Sequence, residues 1–282
     1  MNEIILSHKD VLSILPDRIA DTHKGDYGKI LLLCGSLGYT GAAALAAMGA
    51  LRSGAGLVYL GVPASIYEIE AVKLTEPIVF KLPDKEGKYD IAALNSIRPM
   101  LKLMDAVLIG PGIGKSKDVS ALVHCVLREY SGPIVLDADG INAISEHKDI
   151  LRERTGVTIL TPHAGEFKRL DSNLYPHAKD AAERFAEQYG VIVVYKGNRT
   201  VITDGQTTFI NQTGNPGMAV GGSGDVLAGM ITSFVGQGID PVHAAACSVW
   251  LHGRAGDICA EQLGQYGMLP SDMLAVLPRL MK

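Results

Sequence analysis

The chain has 282 residues, 47% hydrophobic and 20% charged, a globular composition with material for one large core or two modest ones. Its 32 glycines show no three-residue period and come with only 13 prolines, which excludes collagen and low-complexity disorder. A formal net charge of −4, with no dense Lys/Arg run, argues against nucleic acid as a partner.

The opening MNEIILSHKDVLSILPDR lacks a basic n-region followed by an apolar core, so it is not expected to be a signal peptide. Cys34, Cys125, Cys247 and Cys259 are scattered without a CxxC pair and read as buried thiols in a reducing cytoplasm rather than as a zinc site. In chain order the strand candidates are 29–35, 56–62, 106–110, 133–139, 157–162, 191–197, 200–204 and 207–212, mostly apolar on both faces. Helical patterns fall between and after them at roughly 41–53, 90–104, 116–130, 139–154, 177–189, 224–237 and 241–263. The run 30–51 is uncharged for 22 residues, long enough to cross a membrane. Its four glycines with Ser36, Tyr39 and Thr40 favour a strand, a loop and a buried helix instead. DGQ at 204–206 predicts an antiparallel hairpin at one side of the sheet. With no repeat and no linker, residues 1–282 are expected to form a single three-layer α/β/α domain, a mostly parallel central sheet with helices on both faces.

Glycine is concentrated at the strand ends, in GSLGYTG (35–41), GPGIG (110–114), DADG (137–140), KGN (196–198) and GNPGMAVGGSGD (214–225). In parallel sheets these are the ends where loops lead into helices and ligands bind. Familiar signatures fail: GPGIGKS has Ile109 where a Walker A loop needs glycine, GGSGD ends in Asp225 where a nucleophile elbow needs glycine, and no Rossmann GxGxxG follows the first strand. The strongest signal is a lone charge. From Gly205 to Ile239, Asp225 is the only Asp, Glu, Lys or Arg, and it follows glycines at 214, 217, 221, 222 and 224. The apolar run 226–235 behind it predicts a buried helix with Asp225 in its first turn, where free N–H groups suit a phosphate. Asp225 or Ser223 would also serve as a plain helix cap, but a cap does not need five glycines in eleven residues. A carboxylate beside a phosphate hole is what phosphoryl transfer to a hydroxyl requires.

Segments 23–47, 110–114, 133–144, 159–167, 194–202, 214–231 and 267–274, taken together and in order, closely resemble the ribokinase-like family, and within it the ADP-dependent NAD(P)H-hydrate dehydratases. The resemblance covers nearly the whole chain. It implies ADP-dependent removal of water from the S epimer of hydrated NADH or NADPH (NADHX, NADPHX): the 6-hydroxyl is phosphorylated and phosphate is then eliminated. Carried onto this sequence, it makes Asp225 the base, puts Gly224 at the nucleotide phosphates and assigns ADP to Lys196, Gly197, Asn198, Arg199 and Thr200. Ala42, Gly112 and His163 fall where the family contacts the hydrated dinucleotide, together with Asp225. It also implies Mg²⁺, with ligands unassigned, a homotetramer, and an epimerase that larger relatives carry as an N-terminal domain and that this chain is too short to hold. Mild departures are HAGE at 163–166 for an HPGE-like segment and GGSGD for GGTGD.

From the residues alone, Ala42 reads as helix packing, Gly112 as a turn glycine, and His163 equally as a structural histidine or a site residue. Glu166 either holds a Mg²⁺-bound water or simply opens a helix. Asp137 and Asp139 are set aside as strand-end structural acids. The other scaffold-compatible functions are a hydroxymethylpyrimidine-type or hydroxyethylthiazole-type kinase, with a stable phosphorylated product, and a non-catalytic nucleotide-binding regulator.

Overall fold

The computed structural model describes residues 3–173 and 175–282. In chain order the strands are β1 (Glu3–Ile4), β2 (Lys29–Leu33), β3 (Leu57–Pro63), β4 (Ile78–Leu82), β5 (Asp84–Lys85), β6 (Lys88–Tyr89), β7 (Ala106–Ile109), β8 (Ile134–Leu136), β9 (Thr158–Leu160), β10 (Ile192–Tyr195), β11 (Val201–Thr203) and β12 (Thr208–Ile210). The helices are α1 (His8–Ile14), α2 (Thr40–Arg52), α3 (Tyr67–Lys73), α4 (Leu94–Leu101), α5 (Lys117–Glu129), α6 (Asp139–Ile144), α7 (Ile150–Glu153), α8 (Ala164–Leu170), α9 (Ala178–Tyr189), α10 (Ser223–Gly236), α11 (Pro241–Leu263) and α12 (Pro270–Leu280). Ten strands form one sheet in the order β1-β12-β11-β10-β9-β8-β7-β2-β3-β4, parallel except where β11 meets β10 and β12. The β11–β12 turn is the expected hairpin, closed by Asp204 Oδ1 accepting from Gln206 N–H and Thr207 N–H.

The strands are apolar throughout because both faces are covered. In β2, Ile30 and Leu32 join a core with α2, α10, α11 and α12, while Leu31 and Leu33 join a second core with α4, α5, α8 and α9. This is the three-layer arrangement expected from the sequence. Chain order reverses at β2: the chain moves outward to β3 and β4, then returns to β7 on the other side of β2. That reversal lies at the carboxyl ends of β2 and β7, and such switch points are the usual ligand site of parallel sheets.

Elements absent from the sequence reading are mostly at the margins. β4 is an edge strand with an exposed Ile78 and Lys81, so its pattern is broken. α12 starts at Pro270 and contains Pro278, which disguises its period. The helix anticipated over 139–154 is two short helices, α6 and α7, interrupted by the polar run Ser145–Asp149. The uncharged run 30–51 is β2, a loop and α2, and among the described residues no helix is long and apolar enough to cross a membrane.

The helix that carries Asp225 is fixed by backbone contact. α10 lies against α2 so closely that a Cβ on Gly229 would come 2.0 Å from the Ala46 carbonyl oxygen, and one on Gly49 would come 2.5 Å from that of Val226. Neither carbonyl can retreat without moving its helix. Gly229→Ala should therefore destabilise the protein by about 1–3 kcal/mol through overpacking, read as a lower melting midpoint.

Candidate active site

β8, β9 and β10 end side by side, and each end contributes an ionisable or polar group. Asp137 follows β8; its Oδ1 accepts from the Thr161 hydroxyl at 2.6 Å, just past β9, and from the Lys196 ammonium at 2.7 Å, just past β10. Asp137 is buried at 2% exposure, so this is an interior ion pair whose remaining charge must be met by neighbours. Ala138, held at φ 48 where side-chain-bearing residues are rarely found, separates Asp137 from Asp139. Asp139 faces the opposite way, accepting from Gly114 N–H at 3.0 Å and from the Asn142 amide. The acids set aside in the sequence therefore join the site: Asp137 touches Lys196, and Asp139 braces the loop that holds Gly112.

α10 starts beside this pair. Its N-cap is Gly222 at φ 102, a conformation glycine adopts without strain, and no side chain caps the helix. Ser223 is not a cap; its hydroxyl donates to the Met218 carbonyl at 2.8 Å. With the capping role unfilled by either Ser223 or Asp225, and the Ser223 N–H turned to the Val220 carbonyl, the Gly224 and Asp225 N–H groups of a 14-residue helix are left open to an anion. A Cβ on Gly224 would lie 3.3 Å from Lys196 Nζ, which puts the ammonium at that helix start. Burial pushes the Asp225 carboxyl up, the Asp137 carboxylate pushes it further, and Lys196 pulls it back, leaving it at about 7. For Lys196, burial works to lower the ammonium, but Asp137, Glu166 and Asp225 outweigh it and hold its pKa above the ordinary value.

The segment 196–200 is a tight turn. Lys196 N–H donates to the Pro162 carbonyl at 2.8 Å, Thr200 Oγ1 donates to the Gly197 carbonyl at 3.0 Å, and Arg199 adopts φ 62. Gly197, Asn198 and Arg199 are exposed, and among the described residues Arg199 makes no ion pair. His163 pairs with Lys196 as a parallel bridge and caps α8: its Nδ1 accepts from Gly165 N–H at 3.0 Å, and Glu166 Oε2 accepts from His163 N–H at 2.9 Å. Glu166 Oε1 lies 3.2 Å from His163 Nε2. The His163 ring is structurally engaged as the cap of α8 and is about half exposed, beside Lys196.

Ala42 and Gly112 meet at the chain reversal. A Cβ on Gly112 would fall 2.9 Å from the Cβ atoms of both Ala42 and Tyr39. Ser36 Oγ donates to the Gly112 carbonyl at 2.7 Å, and Gly35 N–H donates to that of Pro111 at 2.7 Å, joining the two loops. His252, on α11, was not anticipated. It is 7% exposed with Nε2 unpartnered, and burial, aided by Lys196 and opposed by the Ser223 backbone, pushes its pKa down to about 4. Its only sequence signal is a histidine inside the apolar run of α11.

The family model for NAD(P)H-hydrate dehydratase matches residues 30–279. The chain belongs to the NAD(P)H-hydrate dehydratase family. A bifunctional NAD(P)H-hydrate repair enzyme of Moorella thermoacetica is 42% identical over 96% of this chain and 52% of its own length, so the chain spans about half the length of such relatives. An ADP-dependent (S)-NAD(P)H-hydrate dehydratase of Bacillus subtilis is 34% identical over 100% of this chain and 99% of its own. Among solved structures, an ADP/ATP-dependent NAD(P)H-hydrate dehydratase from Bacillus subtilis, co-crystallised with ATP/Mg²⁺, aligns with a TM-score of 0.81 at 32% identity, covering 99% of this chain and 98% of that one. A ribokinase-like superfamily protein from Enterococcus faecalis aligns with a TM-score of 0.86 at 26% identity, covering 98% and 94%. The fold is thus ribokinase-like, and the family is the dehydratase rather than a small-molecule kinase.

An acid raised in the folded state binds its proton more tightly there than in the unfolded chain, so Asp225 makes the protein less stable as pH rises from about 4 to 7. Asp225→Asn removes that penalty. Its melting midpoint should exceed that of the wild type at pH 8, with the gain shrinking as the pH is lowered towards 4.

Proposed function

We propose that the chain is an ADP-dependent dehydratase of the S epimers of NADHX and NADPHX, with Asp225 as the base. One observation carries the reading: a carboxylate with a pKa of about 7 lies in the uncapped first turn of α10, next to the half-buried Lys196 ammonium. A base must lose its proton near neutral pH and still be basic enough to accept another, and a carboxylate near 7 does both. Asp225 takes the proton of the substrate 6-hydroxyl as that oxygen bonds to the terminal phosphorus of ADP; the bond from that phosphorus to the rest of the nucleotide breaks and AMP leaves. The new phosphate ester then departs with its bonding electrons, the adjacent ring carbon gives up a proton, and the nicotinamide double bond re-forms.

Lys196 and the first N–H groups of α10 face the charge that develops on the transferring phosphate. Gly197–Thr200 supply a turn with exposed backbone for the nucleotide, and Ala42, Gly112 and His163 line the dinucleotide side. Mg²⁺ takes one or two carboxylates beside substrate phosphates and keeps several waters, where it would neutralise phosphate charge. That mode fits the acids around Lys196, with Glu166 retaining free lone pairs, although among the described residues no three His, Cys, Asp or Glu side chains form a metal-binding group. The resemblance adds to the proposal a homotetramer in the cytoplasm, working beside an epimerase.

The test is to incubate the protein with NADHX, Mg²⁺ and ADP and follow the return of nicotinamide absorbance. A stable phosphorylated hydrate in its place would favour the kinase function. Asp225→Asn should bind ADP normally and turn over at least about 10²-fold more slowly. The kcat/KM of the wild type should rise with pH to a plateau above about 7, because only ionised Asp225 accepts the proton. Lys196→Ala should weaken ADP binding, measured by calorimetry, and an unchanged affinity would displace the nucleotide from this strand end.

A further inference from the structure

The glycine-rich loop between β12 and α10 rests on α11. A Cβ on Gly253 would come 2.2 Å from Thr213 Oγ1, and one on Gly256 would come 2.3 Å from Met218 Sδ. Thr213 Oγ1 donates to the Trp250 carbonyl at 2.9 Å, and the Asp257 carboxylate accepts from Gly214 N–H at 3.0 Å and from the Asn215 amide at 3.1 Å. His252 lies among these α11 residues and carries the contact past the loop. Its ring meets the backbone of Ser223, the first residue of α10, within reach of the Lys196 charge. Building on the dehydratase reading, we propose that His252 is a positioning residue for phosphoryl transfer. It holds the first turn of α10 in place against Lys196, and with that turn the Gly224 and Asp225 N–H groups and the Asp225 carboxyl.

The imidazole is 7% exposed, and among the described residues its Nε2 has no hydrogen-bond partner. Leu251 and Ala255, neighbours on the same helix, are fully buried and apolar. Packing alone would be served by an apolar residue at 252 as well, without the cost of a buried unpartnered nitrogen. Burial and Lys196 both press the ring towards its uncharged form, while the Ser223 backbone acts the other way, as a carbonyl does when it accepts from a ring N–H. A helix carbonyl keeps a second lone pair for such a donor. At a pKa of about 4 the ring is neutral wherever Asp225 can act as a base, so it fixes the turn without setting a second cation against Lys196. The turn opens at Gly222 with φ 102 and carries no side-chain cap, so its angle is held from outside.

The experiment compares the wild type with His252→Phe, which keeps a planar ring and removes its nitrogens, and with His252→Asn and His252→Gln, which keep a neutral N–H. It reads kcat, the KM for NADHX, and the fraction of chains that bind ADP, by calorimetry. His252→Phe should lower kcat at least about tenfold, because a misplaced turn weakens the contacts made to the transferring phosphate. The KM for NADHX and the fraction of chains binding ADP should not change. His252→Asn or His252→Gln should restore most of the lost kcat. If His252→Phe does not fold, His252→Leu takes its place. An unchanged kcat in the folded variant, a loss of kcat matched by the loss of ADP-binding chains, or no recovery in either amide variant overturns the role of His252 and leaves the dehydratase reading standing. A wild type that consumes no NADHX with ADP overturns that reading and the role with it.

Discussion

The Lys196–Asp137 ion pair, 2.7 Å long with its carboxylate end buried at the neighbouring ends of β8 and β10, is the constraint on which the site depends. An ammonium drawn partly out of water is held where carboxylates face it, and three do: Asp137 after β8, Glu166 from α8 and Asp225 from α10. The charges are unevenly matched. Asp137 holds the ammonium directly, so Asp225 feels both the attraction of Lys196 and the repulsion of Asp137, and burial tips the balance towards the protonated form. Tuning of the Asp225 carboxyl and placement of the cation are thus one event. The influence of these acids reaches beneath the site to Cys34, whose buried thiol is pushed up by burial first and then by Asp225, Asp137 and Glu70. Cys34, Cys247 and Cys259 are the buried thiols read from the sequence, whereas Cys125 is only half-buried.

Two helix starts share one design at this end of the sheet. α10 and α2 both begin without a side-chain cap, both begin in glycine-rich loops, and both have a lysine ammonium brought in from another element, Lys196 from β10 and Lys73 from α3. The two helices also touch backbone to backbone along Gly49, Ala46 and Gly229. Their starts are therefore held at fixed separation.

Much of the fold was legible because buried parallel strands carry an unmixed apolar signal; β2, β7, β8 and β10 all stand out for this reason. β4 escaped because an edge strand mixes Ile78 and Lys81 with its apolar residues, and α12 because its prolines blur the helical period. Within the site, Asp225 was legible from its isolation among glycines. Asp137 was not, because an acid at a strand end has the same local sequence whether it braces a loop, as Asp139 does, or grips a buried cation.

What the sequence determined by itself was local: strand and helix material, the glycine-rich ends, and one carboxylate with no charged neighbour in 35 residues. Periodicity and composition act within a few residues, so these features survive without knowledge of the fold. Only the tertiary structure decided which ends meet. The chain reversal at β2 brought Ala42 to Gly112 across 70 residues, and adjacent strand ends brought Lys196 to Asp137 across 59. A pKa of about 7 at Asp225 belongs to that second level, because it is set by burial and by charges contributed from β8 and β10, far from Asp225 in the chain.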